Sequence, residues 1–267
     1  MNFIDFEYDN KMLSDYGYMV MNFNNSSEGA VSSGADITYN QVRTASDDIF
    51  NLYSSTYDAA YSMTFQIGKN PCIYDNQEEM YLSPIEVSAL QRWLCQDEYC
   101  KFKVRQEGYE NIYWNATFSS KQVLVNGRIV GLELTLFTDA PYAYLDEIEI
   151  NINMKKGENY TILSMSDEIG KIRPYIEIKF LESGDFIFTN TMDSINTEIS
   201  NISKNEVVTL YGQNQYIFST LQAHIAKDFN YHYPVIANTK QTNINEISSN
   251  LDCEIIIKYS PIIKVGL

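Results

Sequence analysis

The chain has 267 residues, which suffices for two domains or for one large β domain, and 45% of its residues are hydrophobic. Aromatic residues make up 13%, mainly through 21 Tyr, and this excludes a disordered chain because enough apolar surface is present to offset the entropy of ordering. The formal net charge of −16 argues against tight nucleic-acid binding, and the lack of any run of 18 apolar residues argues against a membrane-spanning helix.

The first 36 residues divide into apolar strands and a polar loop. The opening segment has no basic stretch followed by an apolar one, so we expect no secretory signal and synthesis in a cytoplasm. Apolar side chains precede a predicted turn at residues 9–11, and β-forming residues at 16–23 predict a strand. Residues 24–36 are rich in Asn, Ser and Gly, which predicts a loop or a mobile β-arm.

A strand and a helix follow. Residues 60–68 alternate, and this period of two predicts one face that is shared by Tyr61, Met63, Phe65 and Ile67. A helix is predicted over about residues 84–95, because Ser83 and Glu86 match a capping box with Pro84 at the first helical position. Helical spacing predicts that its buried stripe consists of Ile85, Ala89, Leu90, Trp93 and Leu94.

The pattern then returns to strands and reaches a predicted domain boundary. The pair Asn126-Gly127 predicts a tight hairpin turn, and Leu132, Leu134 and Leu136 share one face of the strand after it. Residues 138–142 break this alternation. We therefore predict two domains, residues 1–142 and residues 143–267.

The second half reads as almost entirely β. Several short alternating segments are separated by turn residues, at 148–152, 175–180, 186–188, 206–212 and 254–259. Many short strands with regular turns predict a β-sandwich. The predicted fold class is therefore mainly β, with one helix in the first domain.

The sequence contains no constellation of residues that supports catalysis. The two His, His224 and His232, lie apart from other metal-ligand residue types, so we interpret them as packed or hydrogen-bonded. Cys95 and Cys100 lack zinc-site spacing, and the adjacent acidic pairs are typical of solvated surface. We predict no enzyme activity, no metal and no cofactor. Both Trp lie in the first half, which weakens a lectin interpretation of the second.

The order of several short segments resembles the distal tail protein (Dit) family of long-tailed, siphovirus-like phages. The helix segment at 85–94 ends in the Arg-Trp-Leu that such helices tend to carry. The other similar segments are 6–8 (FEY), 16–18 (YGY), 62–69 (SMTFQIGK), 126–136 (NGRIVGLELTL), 140–143 (APYA), 228–234 (DFNYHYP) and 253–261 (CEIIIKYSP). They are distributed from residue 6 to residue 261, so the resemblance spans nearly the whole chain.

The resemblance implies a structural protein of the tail tip or baseplate. Six copies of the first domain would form a ring, and the second domain would be a galectin-like or carbohydrate-module-like sandwich. The ring would join the tail tube protein to the tail hub, the tail fibre or a tail-associated lysin, and its channel would pass DNA. A receptor-binding protein would be a further partner. The implied location is the virion tail tip, after synthesis in the bacterial host cytoplasm.

Two points stay open at the level of sequence. The polar stretch is a candidate oligomer arm or an ordinary flexible loop, and its residues are Asn24, Asn25, Ser26, Ser27, Gly29, Ser32, Ser33 and Gly34. Two functions remain as alternatives to the tail-tip role. The first alternative is a carbohydrate-binding module for host adhesion, and the second is a glycan-degrading enzyme.

Overall fold

The computed structural model describes residues 3–23, 34–43, 49–74 and 76–266. The chain forms two compact units, one of Met1–Leu145 with Ile263–Leu267 and one of Asp146–Ile262. The predicted division lies three residues earlier, and the prediction assigns the last five residues to the second domain. The mainly β fold class with a single α-helix is confirmed for the described residues. None of their helices is long and apolar enough to cross a membrane.

The first unit is built on one large antiparallel sheet. Its strands are β1 (Phe6–Tyr8), β2 (Lys11–Met12), β3 (Tyr18–Met21), β4 (Ile37–Arg43), β5 (Phe50–Tyr57), β6 (Ser62–Lys69), β7 (Cys100–Val104), β8 (Ile112–Val125), β9 (Arg128–Thr138) and β10 (Ala143–Leu145). The sheet order is β2-β1-β7-β8-β9-β6-β3, and β10 pairs with β8 and with the last short strand of the chain (Ile262–Ile263). Strands β4 and β5 form a separate two-stranded sheet.

The core of the first unit follows the predicted alternation. Tyr61, Met63, Phe65 and Ile67 are all buried on one face of β6, and Leu132, Leu134 and Leu136 are buried on β9. Aromatic rings fill the centre, where Phe6, Phe65, Phe102 and Phe118 lie in mutual ring contact. Such pairs add to the free energy gained by burying apolar area.

One local turn matches its sequence signal, and one strand is shorter than predicted. Asn126 and Gly127 both adopt positive φ angles, of 51° and 79°, and connect β8 to β9 in a tight hairpin turn. The strand predicted at 16–23 spans only Tyr18–Met21, because Ser14–Tyr16 form a 3-10 turn that ends at Gly17 with a φ of 78°. Only glycine adopts that angle without steric cost.

Helix α1 (Pro84–Leu94) begins as the capping box predicts. The Glu86 amide donates to the Ser83 hydroxyl, and the Ser83 amide donates to the Glu86 carboxylate at 2.7 Å. The predicted buried stripe was partly wrong, since Ile85 and Ala89 are exposed while Val87 lies in the core with Leu90 and Leu94. Both sets of residues have helical spacing, and packing against β8 selects the face that contains Val87.

The second unit is a β-sandwich. Its strands are β11 (Ile148–Met154), β12 (Asn159–Leu163), β13 (Gly170–Ile172), β14 (Tyr175–Phe180), β15 (Gly184–Asn190), β16 (Thr197–Ile202), β17 (Val207–Tyr211), β18 (Tyr216–Ser219), β19 (Ile236–Asn238), β20 (Ile244–Ser249) and β21 (Cys253–Tyr259). One sheet has the order β11-β21-β14-β17-β18 and the other β12-β20-β15-β16, while β13 and β19 form a short pair. Inward side chains of both sheets share one core, in which Phe180 and Phe186 meet edge to face at 4.9 Å.

A charged cluster ties two loops of this sandwich together. The buried Asp193 carboxylate accepts from Lys171 Nζ at 3.0 Å and lies 2.7 Å from His232 Nε2. Burial works to raise the pKa of Asp193, but the hydrogen bonds from His232 and Lys171 outweigh it, and the pKa lies below its usual value. Because the folded-state pKa is lowered, the cluster stabilises the fold above the unfolded pKa of about 4 and loses this effect as the pH falls further.

Asp193→Asn is therefore expected to lower the stability of the second unit at neutral pH by about 1–2 kcal/mol. The deficit relative to the wild type should shrink as the pH falls below about 4, since the wild-type carboxylate then becomes protonated. Scanning calorimetry over a pH series measures both effects. A deficit that is the same at every pH would contradict the charged origin of the stabilisation.

Candidate assembly surface

The most exposed structured element of the first unit is the hairpin of β4 and β5, here termed the β4–β5 ribbon. Its strands pair antiparallel from Ile37 opposite Tyr57 to Arg43 opposite Phe50, with a bulge at Tyr53. No residue of either strand is buried. The ribbon is therefore folded through its own backbone hydrogen bonds and has no core of its own.

The two faces of the ribbon differ in polarity. Residues that stand opposite each other in an antiparallel pair point to the same face. One face carries an apolar set, namely Ile37, Tyr39, Phe50, Leu52 and Tyr57. Tyr39, Phe50 and Leu52 are 58%, 60% and 58% exposed. The Arg43 guanidinium lies over the Phe50 ring at 5.9 Å and marks one end of this face.

The paired residues of the opposite face are mainly polar, and some of them are hydrogen-bonded within the chain. Asn40 Nδ2 donates to Ser54 Oγ at 3.0 Å, and the Thr38 hydroxyl donates to the Asp58 carboxylate at 2.8 Å. Val42 is the one aliphatic residue among the side chains of this face. The ribbon is thus amphipathic, with one face suited to water and the other suited to burial.

An amphipathic ribbon of this kind is expected to be covered in the working assembly. A two-stranded hairpin on its own is only marginally stable in water. Contiguous exposed apolar surface on a soluble protein typically marks an interaction site. The apolar face of the β4–β5 ribbon is therefore our candidate surface for protein–protein assembly.

The arm residues that sequence analysis singled out lie next to this ribbon in the chain. Asn24, Asn25, Ser26, Ser27, Gly29, Ser32 and Ser33 lie outside the described residues. Gly34 is described and forms part of a bend three residues before β4. The ribbon itself was not predicted, although the alternation of Ile37 and Tyr39, and of Phe50 and Leu52, with polar residues is a strand signal that would have indicated it.

The residues considered for chemistry are not brought together. His232 is paired with Asp193, as the hydrogen-bonded interpretation predicted, whereas His224 is exposed at the start of a 3-10 turn. The Cys95 thiol lies 3.7 Å from Ser120 Oγ, and no disulfide links the four cysteines. Within the described part of the chain, no group of three or more His, Cys, Asp and Glu side chains could hold a metal ion.

Comparisons with known proteins agree on a tail protein. A family model described as the N-terminal domain of a phage tail protein matches residues 1–140, and one described as a phage tail C-terminal domain matches residues 142–259. No curated protein sequence matches the chain. A solved structure with a similar fold is the Dit protein (gp 19.1) of SPP1, described as a paradigm of the hub adsorption apparatus in phages that infect Gram-positive bacteria.

The structural similarity extends over the whole chain. The TM-score to SPP1 Dit is 0.66, with 10% sequence identity, and the match covers 96% of this chain and 98% of that one. At this identity the likeness concerns the fold, while the family models cover both halves of the sequence. The chain therefore belongs to the phage tail protein family that these two domain models describe, and it has the fold of a distal tail protein.

Proposed function

We propose that this tail protein is a ring-forming adaptor of the tail tip, in which six copies join the tail tube to the hub or tail fibre around a channel for DNA. The observation that carries the proposal is the exposure of Tyr39, Phe50 and Leu52 on one face of the β4–β5 ribbon. A closed ring requires head-to-tail contacts in which one surface of each copy fits a different surface of the next. A projecting amphipathic ribbon is well suited to lie across such a neighbour.

The charge of the chain is compatible with this role. A net charge of −16 disfavours adhesion to DNA, as a channel for passing DNA requires, and it also keeps the free subunit soluble. The proposed tail partners are the tube protein on one side and the hub, fibre or tail-associated lysin on the other. The second unit offers a further surface for a receptor-binding protein.

Oligomeric mass tests the ring, and two adjacent residues provide the contrast. Leu52 and Asn51 are both exposed and lie on opposite faces of β5. Leu52→Lys places a charge in the apolar face, where burial against a neighbour would leave it unpaired at a cost of about 2 kcal/mol or more per contact. Asn51→Lys adds the same charge to the polar face and serves as the control.

Light scattering across a concentration series is the measurement. We expect the wild type and Asn51→Lys to approach the mass of a hexamer as concentration rises, and Leu52→Lys to remain monomeric. Assembly of Leu52→Lys at the wild-type concentration would exclude the ribbon face from the interface. A wild type that stays monomeric at all concentrations, alone and with purified tail tube protein, would contradict the ring itself.

A further inference from the structure

Three tyrosines form a row on the outer face of the five-stranded sheet of the second unit. Tyr175 on β14 stands opposite Tyr211 on β17, and Tyr211 stands opposite Tyr216 on β18. Their ring centroids are 5.3 Å and 5.8 Å apart in succession. We name Tyr175, Tyr211 and Tyr216 the tyrosine row. Its outward direction follows from their neighbours Ile176, Leu210 and Ile217, which are buried in the core.

The row is flanked by aromatic and polar groups on the same face. Phe218 stands opposite Thr209, which in turn stands opposite Glu177, and these side chains form a second line beside the tyrosines. In the other direction the row continues through Lys258 to Glu149 at the edge strand β11. Tyr216 and Phe218 are exposed at 56% and 47%.

The polar groups beside the row are already held in place. The Tyr175 hydroxyl donates to the Glu177 carboxylate at 3.0 Å, and the Lys258 ammonium pairs with Glu149 at 2.7 Å. Burial, and after it the Glu177 carboxylate, raises the pKa of Tyr175, which keeps its hydroxyl a donor. Groups that are fixed before binding lose little conformational entropy when a ligand arrives.

The opposite sheet of the sandwich has a different outer face. Two of its cross-strand lines are polar, with Asn159 opposite Ser248 and Thr161 opposite Glu246. A third line is aliphatic, with Leu163 opposite Ile244, and none of the three includes an aromatic ring. Both sheets cover the same core, so core packing does not require aromatic residues on the outside of either sheet. The outward aromatic residues of the five-stranded sheet therefore need another explanation.

We propose that the tyrosine row is a binding site for an uncharged, linear hexopyranose glycan. A pyranose ring has an apolar face of C–H groups and a rim of hydroxyls, so it matches aromatic rings that are bordered by fixed carboxylates and an ammonium group. The row lies across strands that repeat about every 4.8 Å, an interval close to that of successive sugar rings in a linear chain. Tyrosine provides rigid contact area at a low entropy cost.

Charge and size favour this ligand over the other classes. Both lysines on the strands of this face are paired, Lys258 with Glu149 and Lys179 with Glu254, and this pairing disfavours an anionic glycan or a nucleic acid as the ligand. A stable protein interface covers about 800 Å² on each partner. Four aromatic rings point outward from this face, and charged side chains surround them. This small apolar area suits a short run of sugar rings better than a protein interface.

Titration calorimetry with three neutral probes tests the site, and a matched tyrosine is the control. The probes are cellohexaose, maltohexaose and hexa-N-acetylchitohexaose. Tyr211 and Tyr160 have nearly equal exposure, 38% and 40%, but Tyr160 lies on β12 of the opposite sheet. We expect at least one probe to bind with a Kd of about 1 mM or tighter, Tyr211→Ala and Tyr216→Ala to weaken it about tenfold or more, and Tyr160→Ala to leave it unchanged.

Two outcomes would overturn the proposal. One is that no probe shows saturable binding up to about 5 mM. The other is that a probe binds the wild type and Tyr211→Ala equally, which would place the sugar elsewhere. Unchanged melting temperatures would show that the variants fold. This proposal goes beyond ring assembly, and the two are tested separately. The β4–β5 ribbon and the tyrosine row lie in different units, and a different measurement tests each of them. The glycan site can therefore be disproved while the ring proposal stands.

Discussion

Replacing Lys69 with Met is expected to lower the free energy of unfolding of the first unit by about 3–5 kcal/mol. The Lys69 side chain is only 7% exposed, and its Nζ lies 2.7 Å from Glu86 Oε1. It also donates to the backbone carbonyls of Glu79 at 2.8 Å and of Tyr81 at 3.1 Å. Met fills a similar volume but provides no donor, so two carbonyls and the half-buried Glu86 carboxylate would each lose the hydrogen bond from Lys69.

The same contact predicts a pH dependence. Partial burial works to raise the pKa of Glu86, but the hydrogen bonds from Lys69 and from Ser83 outweigh it, and the pKa lies below its usual value. The pair therefore stabilises the fold above the unfolded pKa of about 4.3, and this contribution is lost as the pH falls through the folded pKa. The difference between wild type and Lys69→Met should be largest at neutral pH and smaller in acid.

Tryptophan fluorescence during urea unfolding is the measurement. Both tryptophans, Trp93 and Trp114, belong to the first unit, so this signal follows that unit alone. Lys11→Met is the control, because Lys11 is exposed and pairs with Asp9 at 3.6 Å, a surface contact worth about 0–1 kcal/mol. Equal losses in the two variants would show that Lys69 acts as an ordinary surface lysine.

Replacing Glu206 with Gln is expected to destabilise the second unit by about 2 kcal/mol. The Glu206 carboxylate is fully buried and accepts from three groups, the Ser203 amide at 2.8 Å, the Ser219 hydroxyl at 2.5 Å and Gln222 Nε2 at 3.0 Å. An amide nitrogen in place of one carboxylate oxygen would face a donor. Hydrogen bonds to a charged acceptor are also the stronger ones.

Hydrogen exchange resolved by peptide measures this loss where it occurs. We expect faster exchange in β17 and β18, which the Glu206 contacts hold together, with β8 of the first unit unchanged as an internal reference. Glu198→Gln on β16 is the matched control, because Glu198 is exposed on the outer face of its sheet. If Glu206→Gln exchanged like Glu198→Gln, the buried carboxylate would not be needed for the stability of this edge.

Local sequence signals predicted the elements that depend on neighbours in the chain. The capping box of Ser83 and Glu86 starts α1, and Asn126-Gly127 forms the hairpin turn, since each signal acts over a few residues. The alternation along β6 correctly predicted that Phe65 and Ile67 share a buried face, because a period of two is also a property of neighbouring residues. The choice between two faces of α1 was not local, and the prediction that buries Ile85 was wrong.

The candidate sites depended on distant parts of the chain. Tyr175 and Tyr216 lie far apart in sequence and join one row only through the pairing of β14, β17 and β18. Lys69 meets Glu86 only because the end of β6 lies beside the start of α1. Side chains of the same type, such as Tyr160, carry no local mark that separates them from the members of the row.

The sequence by itself determined the β class, the single helix, the tight hairpin turn and, through the order of its segments, the tail protein family. Hydrophobic period, capping and turn chemistry are short-range properties, so they can be read without the fold. Only the tertiary structure decided that apolar side chains are exposed on one face of the β4–β5 ribbon and that three tyrosines align on one sheet. Exposure and cross-strand register are set by the packing of the whole chain, and no short segment contains that information.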